Sequence, residues 1–347
     1  MSSSLVYHGP GKKSWETVPD PRVEQDTDVV VRITTTTICG TDLHILKGDV
    51  PDTPAGTILG HEAVGVVEEV GPGVRNLRKG DRVIIPAITA CGTCDYCKRG
   101  MYSHCVKGGW ILGHTINGLQ AQYARVPFAD TSLYKVPDGL RDEDVLFLTD
   151  ILPTAYECGV LNGNVKPGDT VVVVGAGPVG LAAVMLSRLY SPALVIAVDL
   201  DARRLERARR LGADVTVQND REDPVDVVRR HTKGRGADVV IEAVGIPATF
   251  ELCTELVAPG GRIANVGVHG KPVTLHLEKL WAHNITITTR LVDTETIGQL
   301  LELIAARRID PTPLATHTFH MDDFMQAYEV FGNAAAHDAV KVVVKQG

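Results

Sequence analysis

The stretch that decides the fold is "GDTVVVVGAGPVGLAAVMLSRLY", residues 168–190. It begins with a run of valines, passes through a glycine-rich turn and continues as an apolar segment. This order predicts a buried strand, a tight turn and a helix. Further strands are predicted for "ALVIAVD" (193–199), "GADVVIEAVG" (236–245) and "GGRIANVGV" (260–268). Because these strands alternate with helices, the pattern predicts a parallel, doubly wound sheet.

The glycine turn has the spacing G-x-G-x-x-G, formed by Gly175, Gly177 and Gly180. The spacing alone is weak, but between a strand and a helix it predicts a dinucleotide site. Gly175 permits the tight turn, Gly177 lets the backbone approach a pyrophosphate, and Gly180 lets the helix pack on the sheet. The phosphates then face a helix N-terminus. A glycine turn without a ligand is the alternative.

Asp199 ends the next predicted strand, 199 − 180 = 19 residues past Gly180. A carboxylate at this place accepts hydrogen bonds from the adenosine ribose and repels a 2′-phosphate. The sequence therefore favours NAD over NADP, and Arg203 and Arg204 are the neighbouring cations that oppose this preference.

The rest of the chain has a different character from this central part. Before residue 155, short β-type runs are separated by Gly and Pro, which predicts a compact β-barrel-like domain. These runs are "DVVVRITTTTIC" (28–39), "GHEAVGVVEEVGPGV" (60–74) and "GDRVIIPAI" (80–88). After about residue 290, helices are predicted at 294–309 and 321–331, and a closing strand at 339–346 that returns to the first domain.

Length and charge exclude several classes of protein. At 347 residues the chain predicts two domains, because single cores stop growing at about 250–300 residues. The net charge of −7 disfavours a nucleic-acid partner, and the basic segment 201–210 is typical of a solvated helix face. No apolar run is long enough for a membrane span and no signal peptide is evident, so we expect a cytoplasmic protein without a membrane partner.

Four cysteines lie within fifteen residues, in the spacing C-x2-C-x2-C-x7-C. They are Cys91, Cys94, Cys97 and Cys105. Four thiolates can surround Zn²⁺ and leave no open position, which is typical of a structural site. Disulfides are the alternative, but they are disfavoured in a reducing compartment.

Three further residues have the chemistry of a second zinc site. Cys39, His61 and Asp150 would supply a thiolate, an imidazole and a carboxylate, leaving a fourth position open for a substrate. Their charges with Zn²⁺ sum to +2 − 1 − 1 = 0 when His61 is neutral. Sequence spacing alone does not show that these three residues meet.

A resemblance to a known family supplies that connection. The motifs are "CGTDLH" (39–44), "GHEAVG" (60–65), the cysteine segment (91–105), "TDILPTAY" (149–156), "GAGPVG" (175–180) and "AVDLD" (197–201). With these motifs the whole chain resembles zinc-dependent medium-chain alcohol dehydrogenases, especially the microbial branch similar to secondary-alcohol dehydrogenases. The resemblance implies an α/β protein with a GroES-like β-barrel catalytic domain (1–153 and 291–347) and a Rossmann NAD-binding domain (154–290).

The resemblance also implies two zinc ions per chain, with Cys39, His61 and Asp150 as ligands of the catalytic one. Glu62 matches a glutamate that enters the zinc shell in some members. Thr41 matches the hydroxyl residue beside the alcohol. The remaining residues implied for catalysis, for the cofactor and for the substrate pocket are His44 at the end of a proton relay; Thr154, Pro178, Val179, Arg204, Val244, Val266, Val268 and Lys341 on the cofactor; and Ala87 and Trp110 beside the substrate.

We therefore expect a homotetrameric enzyme that transfers a hydride between a small-molecule alcohol, secondary or small primary, and NAD, giving a ketone or aldehyde. A polyol, amino-alcohol or formaldehyde dehydrogenase on the same scaffold is the alternative. A non-catalytic nucleotide-binding relative is a further alternative, and the intact set of site residues argues against it.

Overall fold

The computed structural model describes all 347 residues. The chain divides into two compact units, Met1–Asp150 with Asp293–Gly347, and Ile151–Val292. These bounds differ by two or three residues from those expected from the sequence, 1–153 with 291–347 and 154–290. None of the helices has the length and apolar character that crossing a bilayer requires.

The unit Ile151–Val292 is built on a six-stranded parallel sheet. Its strands, in spatial order, are Val215–Gln218, Leu194–Asp199, Thr170–Val174, Ala237–Glu242, Val257–Asn265 and Thr286–Thr289. When the strands are numbered as they occur along the chain, this spatial order is 3-2-1-4-5-6, the order of dinucleotide-binding sheets. The predicted doubly wound sheet is therefore confirmed. The valines of the strand Thr170–Val174 are buried because both faces of the sheet are covered.

Helices connect these strands. Those of the unit are Ile151–Pro153, the π-helical Thr154–Leu161, Pro178–Ser187, the 3₁₀ turn Arg188–Tyr190, Ala202–Arg210, Pro224–His231, Pro247–Leu256 and Leu277–Leu280. Three of the helices begin at a proline, whose fixed φ suits the first helical position. The charged segment 201–210 forms a helix with buried Leu205 and Ala208 and exposed arginines, as expected for a solvated face.

The discontinuous unit is mainly antiparallel. One sheet runs in the order Ala315–His320, Lys341–Lys345, Val29–Thr37, Ala63–Val70, Arg82–Ile85 and Tyr134–Lys135, and Tyr123–Val126 also pairs with the third of these strands. A two-stranded ribbon joins Ser2–Tyr7 to Lys13–Val18. The closing strand pairs antiparallel with the first-domain strand, Val343 opposite Thr37, so the chain returns as expected.

Short helices and 3₁₀ turns complete this unit. They are Gly40–Lys47, Asp95–Lys98, Tyr102–His104, Ala129–Ser132, Asp142–Val145, Leu146–Thr149, Ile297–Ala305, Thr312–Leu314, Met321–Asp323, Phe324–Gly332 and Ala334–His337. The helix Phe324–Gly332 packs its apolar face into the same core as the strands Val29–Thr37 and Lys341–Lys345. The C-terminal segment is therefore part of the core that supports residues 39–61.

Candidate metal centres and cofactor site

Three loop positions bring the predicted metal ligands together. Cys39 follows a strand and caps the helix Gly40–Lys47. His61 directly precedes the strand Ala63–Val70, and Asp150 follows the 3₁₀ turn Leu146–Thr149. The elements that carry these three side chains share one core. Because each side chain lies at the end of its element, residues far apart in sequence meet here.

The donor atoms of Cys39, His61, Glu62 and Asp150 all lie within 4.8 Å of one another. Asp150 Oδ2 is 3.7 Å from both Cys39 Sγ and His61 Nε2. Tetrahedral coordination with zinc bonds of about 2.0–2.3 Å places neighbouring donor atoms roughly 3.3–3.8 Å apart. The geometry therefore fits a single zinc ion between these side chains.

The electrostatics of the cluster fit a cation too. Burial raises the pKa of the Cys39 thiol and of the Glu62 carboxyl. Burial alone would lower the pKa of His61, but the adjacent Asp150 and Cys39 raise that pKa well above its ordinary value. These shifts share one cause, the enclosure of several acidic groups with little positive charge. A divalent ion supplies that charge and binds the deprotonated ligands.

A carboxylate stands behind the histidine ligand. Asp42 and His61 are buried, and Asp42 Oδ1 lies 3.7 Å from His61 Nδ1. Neither atom has another hydrogen-bond partner. Metal-bound histidines donate their second ring N–H to a carboxylate or carbonyl, which fixes the tautomer. The facing pair therefore suits His61 bound to zinc through Nε2.

Glu62 and Lys341 form an ion pair beside the cluster, and both side chains are 1% exposed. Lys341 Nζ donates to Glu62 Oε1 at 2.7 Å and to the Ile38 carbonyl at 3.0 Å. The structure places the Lys341 ammonium on Glu62, and its contact with the cofactor pyrophosphate stays a prediction. Its enclosed ammonium is directed at Glu62, because that is the buried carboxylate that needs a counter-charge.

The proposed proton relay lies on the helix Gly40–Lys47. Thr41 Oγ1 is 3.6 Å from Cys39 Sγ, which places the hydroxyl at the edge of the metal cluster. His44 is one turn further along and its side chain is 47% exposed. Its Nδ1 lies 2.9 Å from Asp49 Oδ2, a partner that the sequence analysis did not identify. The helix thus carries one group at the cluster and one in contact with solvent.

Of the two residues predicted beside the substrate, Trp110 contacts a residue of the cluster. The Trp110 ring meets the His61 ring edge-on, with centroids 6.1 Å apart. The Trp110 indole also stacks on the His114 ring, with centroids 4.1 Å apart. His114 Nε2 lies 2.9 Å from Asp52 Oδ2. Ala87 is buried. No motif in the sequence marks His114, which follows Trp110 by four residues in a loop.

The four-cysteine segment forms a second cluster in the structure. The sulfurs of Cys91, Cys94, Cys97 and Cys105 lie within 4.8 Å of one another, with Cys94 and Cys97 3.4 Å apart. Against the effect of its partial burial, hydrogen bonds from Thr93 and nearby backbone amides lower the pKa of Cys91 to about 6, whereas burial and the neighbouring cysteines raise the pKa of Cys97 to about 12. The set fits a closed tetrathiolate zinc site.

This lobe is tied to the point where the chain re-enters the discontinuous unit. Asp293 Oδ1 accepts hydrogen bonds from Ser103 N at 2.9 Å and from Ser103 Oγ at 2.6 Å. Within the lobe's surroundings, Ala90 N donates to Ser132 Oγ at 3.1 Å. Only short elements, Asp95–Lys98 and Tyr102–His104, carry the cysteine segment, so a bound metal would supply much of its stability.

A Cys94→Ser variant should therefore lose the lobe zinc and unfold at a lower temperature, while it keeps the metal at the Cys39 cluster. Metal analysis and thermal unfolding measure both effects. Lys98→Ala, at an exposed position of the same segment, leaves all four sulfurs and their hydrogen bonds in place and serves as the control. Full thermal stability with two zinc ions bound in Cys94→Ser would contradict the structural assignment.

The glycine turn of the parallel sheet is shaped for a bound dinucleotide. Gly175 has φ +99°, and a Cβ at Gly180 would collide with the Gly175 carbonyl, so the turn and helix touch through backbone alone. A Cβ at Gly177 would meet nothing within 4 Å, so this backbone is open to a ligand. The helix Pro178–Ser187 begins there, with Pro178 and Val179 in its first turn. These features fit a pyrophosphate.

Asp199 lies beside that turn. Its Oδ2 accepts from Ala176 N at 2.7 Å and its Oδ1 accepts from Asp201 N at 2.8 Å. Arg203 pairs with Asp201 at 3.1 Å, and Arg204 is half-buried on the same helix. The carboxylate at the predicted ribose position is therefore held in place by the backbone, and one of the two arginines is directed at another acid.

The predicted contacts of the nicotinamide half lie on loops at the strand ends. Val244 and Val268 are 42% and 75% exposed, and Val266 follows the strand Val257–Asn265. Thr154 begins the π-helical segment Thr154–Leu161. Glu242, fully buried, accepts hydrogen bonds from Val244 N and Gly245 N and so fixes one of these loops. No motif in the sequence marks Glu242 as a functional residue.

Comparisons with known proteins agree with this arrangement. Two family models match, the alcohol dehydrogenase GroES-like domain over residues 25–138 and the zinc-binding dehydrogenase over residues 178–306. The chain is 37% identical to an alcohol dehydrogenase of Cupriavidus necator over 99% of both chains. It is 50% identical to the apo form of zinc dependent alcohol dehydrogenase 2 from Streptococcus pneumonia, covering 100% of this chain and 99% of that one with a TM-score of 0.95. Alcohol dehydrogenase TADH from Thermus sp. ATN1 is 37% identical, covering 99% of this chain and 100% of that one, with a TM-score of 0.93.

Proposed function

Because the chain belongs to the zinc-dependent medium-chain alcohol dehydrogenases, we propose that it oxidises a secondary or small primary alcohol with NAD, using Cys39, His61 and Asp150 as ligands of its catalytic zinc. The family resemblance deduced from the motifs is confirmed, and so is the activity class, an NAD(P)-dependent zinc alcohol dehydrogenase. The observation that carries the ligand assignment is the convergence of Cys39, His61, Glu62 and Asp150 within 4.8 Å.

The side chains around this cluster have separate roles in the proposed reaction. When bound, zinc would polarise the substrate oxygen and the nicotinamide would accept the hydride. Thr41 would accept the hydroxyl proton of the alcohol and release its own hydroxyl proton toward His44. His44 exchanges that proton with solvent, and Asp49 orients its ring through Nδ1. Trp110 and Ala87 form the apolar side of the pocket that orients the substrate.

The substrate class within this activity is decided by turnover. The tested compounds should include a small primary alcohol, a secondary alcohol, a polyol, an amino alcohol and formaldehyde, each with NAD⁺ and with zinc content measured in parallel. We expect the highest kcat/KM with the small primary or secondary alcohol and two zinc ions per chain. Preference for the polyol, the amino alcohol or formaldehyde would replace the proposed substrate, and a protein without turnover or cluster zinc would be a non-catalytic relative.

NAD is the proposed cofactor because backbone amides hold the Asp199 carboxylate at the position predicted for the ribose. Placing a like charge against it costs several kcal/mol, so wild type should favour NAD over NADP. Asp199→Asn keeps an acceptor for Ala176 N but removes the charge, and it should narrow the ratio of kcat/KM values by roughly 10- to 100-fold. Asp199→Gly should narrow or reverse the preference for NAD over NADP. A wild-type enzyme that favours NADP would show that Arg203 or Arg204 dominates.

We also propose that the chain forms a cytoplasmic homotetramer. The strand Thr286–Thr289 lies at the edge of the parallel sheet, where its outer backbone groups can pair with another strand. Trp281 is 80% exposed on the adjoining segment, and Leu277 is 60% exposed. A second copy of this chain would cover both the edge and the apolar side chains. Sedimentation equilibrium of wild type and Trp281→Glu tests this proposal.

A further inference from the structure

A line of buried polar contacts leads away from the His61 ligand. Asp42 Oδ2 accepts hydrogen bonds from Cys39 N at 2.9 Å and from Gln120 Nε2 at 2.9 Å. The Tyr328 hydroxyl donates to Gln120 Oε1 at 2.7 Å. Gln120 is fully buried, and Tyr328 is 3% exposed. The contacts therefore join the C-terminal helix Phe324–Gly332 to the carboxylate that faces His61.

The chemistry of the partners fixes the direction of each bond. A carboxylate only accepts, so the Gln120 amide nitrogen must face Asp42 and its oxygen must face Tyr328. Both Asp42 Oδ2 bonds come from donors, which leaves Oδ1 for His61 Nδ1, 3.7 Å away. Because one amide serves both ends, a change at Tyr328 is transmitted to the orientation of the Asp42 carboxylate.

Gln120 also fixes the backbone that carries the ligand. The backbone N–H of Gln120 donates to the Leu59 carbonyl at 2.9 Å, and the backbone N–H of the neighbouring Leu119 donates to the Gly60 carbonyl at 2.9 Å. Gly60 has φ +91°, and a Cβ there would collide with the Gln120 side chain. The residue before His61 is therefore held against Gln120 by contacts that only glycine permits.

The outer end of the line is held by packing. The Tyr328 ring lies 6.1 Å from the Phe324 ring, and Lys13 Nζ lies 5.0 Å from the Tyr328 centroid. The hydroxyl thus has little freedom to leave Gln120. Phenylalanine would fill the same space in the core. The Tyr328 hydroxyl is therefore needed for the hydrogen bond that orients the buried Gln120 amide, and not for packing.

From these contacts we infer that Gln120 and Tyr328 are positioning residues of the catalytic zinc site, acting through Asp42 on the His61 ligand. The inference rests on the proposed function, since it requires zinc at the Cys39, His61 and Asp150 cluster. Partners that orient a ligand histidine typically change metal affinity by 10- to 100-fold. Removing the Tyr328 hydroxyl, the outer end of the line of contacts, should change the zinc affinity by the lower end of that range.

The test follows the release of zinc from the holoenzyme to a chelator, one site at a time. Tyr328→Phe deletes one hydroxyl and should speed release from the Cys39 cluster by roughly tenfold, and Gln120→Met by roughly 10- to 100-fold. Release from the cysteine lobe should stay at the wild-type rate. Cobalt exchanged into the Cys39 cluster should show shifted visible absorption bands in both variants, because the ligand geometry changes.

Tyr7→Phe is the matched control, since Tyr7 is a buried tyrosine of the same core outside this line of contacts. If Tyr328→Phe matches Tyr7→Phe in release rate and cobalt spectrum, the inference is overturned. Equal acceleration at both zinc sites also overturns it, because that result describes a loosened core. A wild-type protein that binds metal only at the cysteine lobe would instead refute the proposed function.

Discussion

A Thr41→Ala variant should oxidise alcohols roughly 100- to 10,000-fold more slowly than wild type while it retains both zinc ions. The hydroxyl of Thr41 lies 3.6 Å from the Cys39 sulfur, at the edge of the metal cluster, and is the proposed acceptor of the substrate proton. Nothing else on the helix Gly40–Lys47 offers a hydroxyl there. Steady-state turnover, metal analysis and pH–rate profiles should be measured on the same preparation.

Two further variants make this result specific. Thr41→Ser keeps the hydroxyl and should retain most of the turnover. His44→Gln removes the solvent-exposed end of the relay, where water or buffer can substitute, so its loss should be smaller and partly restored by imidazole. A metal-replete Thr41→Ala enzyme with near wild-type turnover, under conditions where hydride transfer limits the rate, would refute the relay. Loss of zinc from both Thr41→Ala and His44→Gln would show that these residues only shape the turn.

Lys341→Met is expected to lower the free energy of unfolding by about 3–5 kcal/mol, the cost of leaving a buried charge unpaired. Lys341 Nζ and Glu62 Oε1 are 2.7 Å apart and both side chains are 1% exposed, so solvent cannot replace the ammonium. Methionine fills a similar volume, which keeps the packing change small. Urea unfolding of the zinc-loaded proteins measures the difference.

The same strand provides a control. Lys345 pairs with Glu143, and the two side chains are 37% and 31% exposed, so Lys345→Met should cost at most about 1 kcal/mol. The double variant Glu62→Gln with Lys341→Met removes both charges and should recover much of the loss. If Lys341→Met costs no more than Lys345→Met, the buried pair does not contribute as proposed.

The parallel sheet and its glycine turn could be read from the sequence because their signals are local. The valines, the three glycines and Asp199 lie within about thirty residues, and the alternation of strand and helix needs no distant contact. The four cysteines are equally compact. Cys39, His61 and Asp150 are different, since 111 residues separate Cys39 from Asp150 and only the family resemblance connected them.

Partners still further apart were missed. Lys341 was predicted at the pyrophosphate, and its contact with Glu62, 279 residues away, was not expected. Tyr328 and Gln120 are 208 residues apart, and neither stands in a motif. Asp42 was missed as well, although it lies within "CGTDLH" and its position three residues after Cys39 is that of a helix-capping acid, a signal that could have identified it. Hydrophobic periodicity carries no information about such pairs.

The return of the chain to its first sheet has a consequence for synthesis on the ribosome. Val343 pairs with Thr37, so 343 − 37 = 306 residues separate two neighbouring strands. At roughly 5–20 residues per second, the segment Thr35–Thr37 waits about 15–60 s for its partner. During that interval Glu62 is without Lys341 and the strand has an open edge. The zinc ligands are therefore made early, but their surroundings become native only after the whole dinucleotide-binding unit has been translated.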